Sequence, residues 1–193
     1  MTTKELPILF SKPMVRAILS GRKTQTRRII KPQPELCHGC QSCDFKGNHF
    51  LSPIKPRFKE GSSLWVRETW GVRASGDYVY EASYDYSDPL IDLTQKWKPS
   101  IHMPRIASRI TLKITHIQIE RLQDISEEDA ICEGIEPMDS DGTNKYTIHI
   151  PSHHASYNAP TAKGVFVRLW ESINGDDSWN ENPWCWVISF AVM

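Results

Sequence analysis

Gly21-Arg22-Lys23-Thr24-Gln25-Thr26-Arg27-Arg28 places four cations and two hydroxyls in eight residues. A short helix is expected to run into this stretch. Ser11 is a candidate N-cap, and Pro13 falls in the first turn, where its missing N–H costs nothing. Met14, Val15, Ile18 and Leu19 recur at helical spacing, and Gly21 suits the residue just past the helix end. Beyond Gly21 the chain reads as extended until Pro32 and Pro34 stop it. A lysine at the mouth of such a turn, backed by hydroxyls and arginines, can grip a phosphate or an oxyanion. A solvated basic strand edge has the same composition, and residue types alone leave both readings open.

Outward from this stretch, the 193 residues fit one domain with large loops. Hydrophobic residues make up 39% of the chain, including seven Trp, enough for a core. No apolar run reaches the ~18 residues of a membrane span. The N-terminus, Met-Thr-Thr-Lys-Glu-Leu-Pro, lacks the apolar segment of a signal peptide. Five Cys is an odd count, unlike a secreted disulfide framework, so reduced thiols and a cytoplasmic protein are expected. Formal net charge is zero, yet residues 1–60 carry 12 Lys and Arg against 4 Asp and Glu, and residues 61–193 carry 11 against 19. The halves are therefore +8 and −8, and a basic face for a polyanion remains compatible with the neutral total.

In chain order, Ser63–Trp70 is strand-like, with Leu64, Val66 and Glu68 on one side and Trp65 and Arg67 on the other. Glu68 on an apolar side needs a partner, and a cation of the first stretch is a candidate. A short strand is expected within 78–84. The clearest strand alternates Ile110, Leu112 and Ile114 with polar residues, then slips by one to Ile117 and Ile119. Such a slip argues for a bulge or sharp bend of the kind barrels use to curl. Ser126 with Asp129 three residues on resembles a capping box, and Gly134 ends that short helix. Glu133 then sits in the last turn, where the helix dipole disfavours an anion; if buried there it would be a candidate proton acceptor. Residues 136–164 show almost no periodicity and read as a long loop, either a lid or disordered. Phe166, Leu169, Trp170 and Ile173 return to helical spacing, with Gly175 as the cap. Trp184–Val192 is apolar on both faces, as in a central or barrel-closing strand.

Cys37, Cys40 and Cys43 form a C-x2-C-x2-C cluster. Three thiolates with His49, or His38, as the fourth ligand would close a tetrahedral structural zinc site. A reduced loop is the competing reading, because only one metal knuckle is present.

Three segments carry a family resemblance: Gly21–Arg27, Gly61-Ser62-Ser63-Leu64-Trp65-Val66-Arg67-Glu68, and Leu122-Gln123-Asp124-Ile125-Ser126-Glu127-Glu128-Asp129-Ala130-Ile131-Cys132-Glu133-Gly134-Ile135. In this order they resemble the ASCH domain, most closely the ASCH proteins carried by tailed phages and prophages of enteric bacteria. The resemblance spans most of residues 1–193 as a single domain, with irregular insertions at about 32–60, 71–105 and 136–164. It implies an α+β, PUA-like fold: a small, mostly antiparallel β-barrel flanked by short helices. It also implies that RNA, single-stranded nucleic acid or a modified nucleoside binds in a basic cleft, here expected to involve Arg22, Thr24, Arg27, Arg28, Arg67 and Glu68. No cofactor is required, and the cysteine cluster is not part of the family's common pattern.

Some small family members are amidohydrolases that deacylate N4-acetylcytidine. Their catalytic Lys, Thr and Glu fall by motif on Lys23, Thr26 and Glu133. The implied roles are Thr26 as nucleophile, Lys23 as its activator or oxyanion holder, and Glu133 as acid and base. This chain is nearly twice the length of those enzymes. In a strictly extended chain Lys23 and Thr26 would face opposite ways, so they converge only if Lys23 lies in the turn. Three functions thus stand side by side: a nucleic-acid or nucleoside binder, a deacylase, and a phage structural or assembly factor in which the barrel is only a scaffold. The expected compartment is the cytoplasm, that of the bacterial host if the protein is phage-encoded. No membrane partner is expected, and the sequence does not indicate an oligomeric state.

Overall fold

A computed structural model describes residues 5–35, 54, 56–84, 96–138, 145–150 and 155–193. The described residues form an α+β fold. Five strands make the main sheet: β1 (Leu6–Leu9), β2 (Gln25–Ile29), β3 (Ser63–Arg67), and the long β6 (Thr111–Arg121) and β10 (Trp184–Val192). Their order is β1-β3-β6-β10-β2, antiparallel throughout except for the parallel β1–β3 pair. A hairpin of β4 (Trp70–Val72) and β5 (Tyr78–Tyr80) lies in the 71–105 insertion.

The slip in the apolar pattern of β6 has a physical counterpart. Ser189 pairs with His116, but Phe190 pairs with Ile114, so Thr115 is an extra residue on β6. This bulge lets Ile114 and Ile117 both pack with the same core despite their odd spacing. The expected closed barrel does not form among the described residues, because β1 and β2 are the unpaired ends of the sheet order. The sheet nevertheless curls until its two edges approach. Arg28 on β2 reaches across the seam and donates from Nη2 to the Leu9 carbonyl of β1 at 2.7 Å.

Helix α1 (Lys12–Leu19) begins after Ser11, whose side chain makes no capping hydrogen bond, and ends as its sequence suggests. Gly21 adopts φ +75°, and its N–H donates to Ile18. Helix α2 (Glu127–Cys132) is capped by Ser126, which accepts from the Asp129 N–H at 3.0 Å. Glu127 instead reaches the start of α3 (Ala162–Asn174), accepting from the Ala162 N–H at 2.7 Å. That helix has its own N-cap, Thr161.

Residues 136–164 are not a structureless loop. They contain a three-stranded sheet of β7 (Glu136–Met138), β8 (Lys145–Ile150) and β9 (Ala155–Ala159). Tyr146, Ile148, Tyr157 and Ala159 pack it against α3. The apolar alternation is only a few residues long and sits among polar residues, so no period stands out.

Two cores result. One fills the curl of the main sheet, with Phe10, Leu64, Val66, Leu112, Ile188 and Phe190 against Val15 and Ile18 of α1. The other joins α2, α3 and β8 through Leu122, Ala130, Ile135, Phe166 and Leu169. β10 serves both, with Ile188 in the first and Cys185 in the second, which explains its apolar character on both faces. Met14 is packed against both cores and so marks the boundary between them. Among the described residues no helix is long and apolar enough to cross a membrane.

Candidate functional site

The boundary between the cores holds a buried polar cluster. Lys23 occupies the turn between α1 and β2, and its backbone N–H donates to Ala17 at 3.0 Å. Its ammonium is 1% exposed as a residue and donates to both the Oε2 and the backbone carbonyl of Glu133, each at 2.7 Å. Glu133, 4% exposed, is the C-cap of α2. Lys23 therefore satisfies an orphan carbonyl at a helix end and places a cation where the dipole favours one. Gly134 makes the approach feasible: it sits at φ +101°, and a Cβ there would lie 3.1 Å from that of Ala17. Burial pushes the Lys23 pKa below the usual lysine value, and the Glu133 charge opposes that shift.

Arg27 supplies the second cation. Its Nη1 donates to Gln25 Oε1 at 2.6 Å and Glu133 Oε1 at 3.4 Å. Its Nη2 donates to Glu120 at 3.1 Å and Asp129 at 3.0 Å. The two oxygens of Glu133 are thus each matched to a different cation, while each keeps accepting capacity. This arrangement ties the Glu133 carboxylate to a lysine 110 positions away in the chain. Gln25 and Asp129 were absent from the expected set, as was Glu120. Two signals were available: Gln25 shares a strand face with Arg27, and Asp129 precedes Glu133 by one helical turn.

Lys23 lies in the turn before β2; its Nζ is 5.7 Å and Arg28 Cζ 5.3 Å from the centre of the Phe10 ring. By strand alternation Thr26 shares its face with Arg28. Thr26 and Glu133 line one cavity of about 250 Å³ together with Arg27, Arg28 and Lys31. Its apolar wall comes from Met14 and from Phe166, Leu169, Trp170 and Ile173 of α3. Ile173, on the helical stripe expected to be core, is 57% exposed. Among the described residues the buried Arg28 Nε and Trp170 Nε1, whose residues line this cavity, have no hydrogen-bond partner. Lys23 itself does not line this cavity.

The remaining expected ligand-binding residues lie apart. Arg22 pairs with Glu136 beside a neighbouring cavity of about 430 Å³ that Glu133 also borders. Thr24 is exposed, and its backbone is pinned by Cys132 and Phe190. Arg67 donates to the Ile101 carbonyl at 3.3 Å and lies 4.6 Å over Trp65. Glu68 is buried, and its partner is Arg109 rather than a cation of the first stretch. Both Arg109–Glu68 bonds are 2.9 Å, and Arg109 stacks 4.1 Å over Tyr80. Lys23 and Arg27 are held by Glu133 and Asp129, and Arg28 by the Leu9 carbonyl, so the cations of the first stretch are engaged elsewhere. Neither Arg67 nor Glu68 lines the Thr26 cavity.

The metal expectation at Cys37, Cys40, Cys43 and His49 lies outside the described residues. Among the described residues no group of His, Cys, Asp and Glu is arranged to hold a metal ion. No family model, curated protein or solved structure matches the chain.

Proposed function

We propose that the chain is an ASCH-type, PUA-like protein that binds a nucleotide-like ligand, RNA or a modified nucleoside, in the cavity beside Thr26 and Glu133. One observation carries this reading: Thr26 and Glu133 line a single cavity with Arg27, Arg28 and Lys31 and with the aromatic Phe166 and Trp170. Aromatic faces stack on bases, while Arg and Lys take phosphates and carbonyl oxygens. The volume of about 250 Å³ is just below the ~300 Å³ where ligand pockets commonly begin, which suits a single base rather than a folded nucleic acid. Titration with cytidine and with short RNA across a salt series tests this. Binding should be saturable, and the RNA affinity should fall steeply with salt.

A second reading, deacylation of an N4-acylated cytosine nucleoside, is favoured by Glu133 lining the same cavity as Thr26 while held by Lys23 at 2.7 Å. The Thr26 hydroxyl would add to the acyl carbonyl and pass its proton to Glu133. The C–N4 bond would then break as Glu133 returns that proton to the leaving nitrogen. Water, deprotonated by Glu133, would add to the Thr26 ester, and Glu133 would return that proton to the Thr26 oxygen as its bond to the acyl carbon breaks and the acid leaves. Since Lys23 does not line the cavity, its part is to position Glu133. Mass-spectrometric assay of N4-acetylcytidine, with Thr26→Val and Glu133→Gln as controls, decides this reading. Turnover lost in both variants supports it, and turnover unchanged in either refutes the assignment.

A further inference from the structure

The seam between the sheet edges holds a groove that the proposed function leaves unused. It encloses about 370 Å³ between Leu9 of β1 and Arg28 of β2, with Lys31, Arg57, Phe58 and Trp186 completing it. Among the described residues no carboxylate lines it. Among the described residues Arg28, Lys31 and Arg57 form no ion pair, whereas Lys23, Arg27 and Arg109 all do. Arg28 is anchored by the Leu9 carbonyl, and its buried Nε has no partner. Lys31 and Arg57 are exposed. A groove with three unneutralised cations favours an anion, and a multiply charged one most.

The groove adjoins the Thr26 cavity: Arg28, Ile29 and Lys31 line both. A ligand long enough to pass Arg28 and Lys31 would engage both. A base in the first would carry its phosphate toward the second. Phe58 and Trp186 add aromatic surface beyond the cations.

Resting on the binding reading above, we infer that the seam groove is a phosphate subsite, so that the ligand is a nucleotide or nucleotide chain and not a free nucleoside. The phosphate is either a monoester or the diester of a longer strand. Isothermal titration with cytidine, cytidine 5′-monophosphate and the trinucleotide CpCpC separates these sources. Arg57→Glu is the diagnostic variant, because Arg57 lines the groove but not the Thr26 cavity. At low salt at least one phosphorylated ligand should bind about tenfold or more tighter than cytidine. Arg57→Glu should remove most of that gain and leave cytidine affinity unchanged. A gain for the monophosphate identifies a monoester, and a gain for CpCpC alone identifies a strand. Equal affinity for all three, or a gain that survives Arg57→Glu, overturns the subsite while the nucleoside reading stands. Failure of all three ligands to bind overturns both.

Discussion

Replacing Lys23 by Met removes an ammonium whose two acceptors both belong to Glu133, at 2.7 Å each. The methionine stem is long enough to fill most of the space. What remains is a carboxylate in a residue 4% exposed, with Arg27 Nη1 at 3.4 Å as its nearest remaining cation. Breaking one side of a buried pair costs about 3–5 kcal/mol, and the remaining Arg27 contact points to the lower end. For a chain of this size about 3 kcal/mol lowers Tm by roughly 6–12 °C. Denaturant unfolding, with calorimetry as a check, measures the loss. The companion measurement is a double-mutant cycle. Glu133→Gln alone leaves the buried ammonium facing an amide, but in Lys23→Met/Glu133→Gln neither charge is stranded. The double variant should be more stable than the sum of single costs implies, by about 2 kcal/mol. A Lys23→Met cost under about 1 kcal/mol, or strict additivity, would refute the claim that this pair ties the α1–β2 turn to α2.

Three further outcomes follow from the same geometry. Gly134→Ala should destabilise by about 1–3 kcal/mol, since φ is +101° and the new methyl would meet Ala17; thermal unfolding reads this. Arg109→Ala should cost about 3 kcal/mol by stranding Glu68, and Arg109→Lys should recover less than half, because one ammonium cannot replace two parallel bonds. Burial pushes the Cys185 thiol up to about 12, with the Arg27 charge opposing the shift. Its folded value exceeds that of a free thiol, so the stability it contributes is intact below about pH 8.5–9 and is lost as pH rises toward 12. Cys185→Ala should flatten this alkaline loss in urea titrations, and an unchanged slope would show that Cys185 does not drive it.

The parts of the fold legible in the sequence are those set by local rules. The α1 end at Gly21, the Ser126 cap and the bulge in β6 each follow from a few adjacent residues. The placement of β10 between β6 and β2 follows from its two apolar faces. The three-stranded sheet at 136–159 was obscured because its apolar residues are few and its packing surface, α3, comes later in the chain. In the site, Lys23 and Glu133 were marked by their odd placement at helix ends. Arg27 acquires its role from Asp129, Glu120 and Glu133, all roughly a hundred residues away, which no local pattern encodes. Glu68 illustrates the reverse case. Its need for a partner was visible, but the choice of Arg109 depended on how the chain from Met103 to Ile110 packs along β3. The seam groove requires the curl of the whole sheet, so it could not be read from any one segment.

Everything functional proposed for the chain rests on the cavity beside Thr26 and Glu133 binding a nucleotide-like ligand. The most direct test is a calorimetric titration of cytidine 5′-monophosphate into wild type and Thr26→Val. Wild type should show saturable one-to-one binding, weakened about tenfold or more when the hydroxyl is removed. Absence of saturable binding, or the same affinity in both proteins, would contradict it.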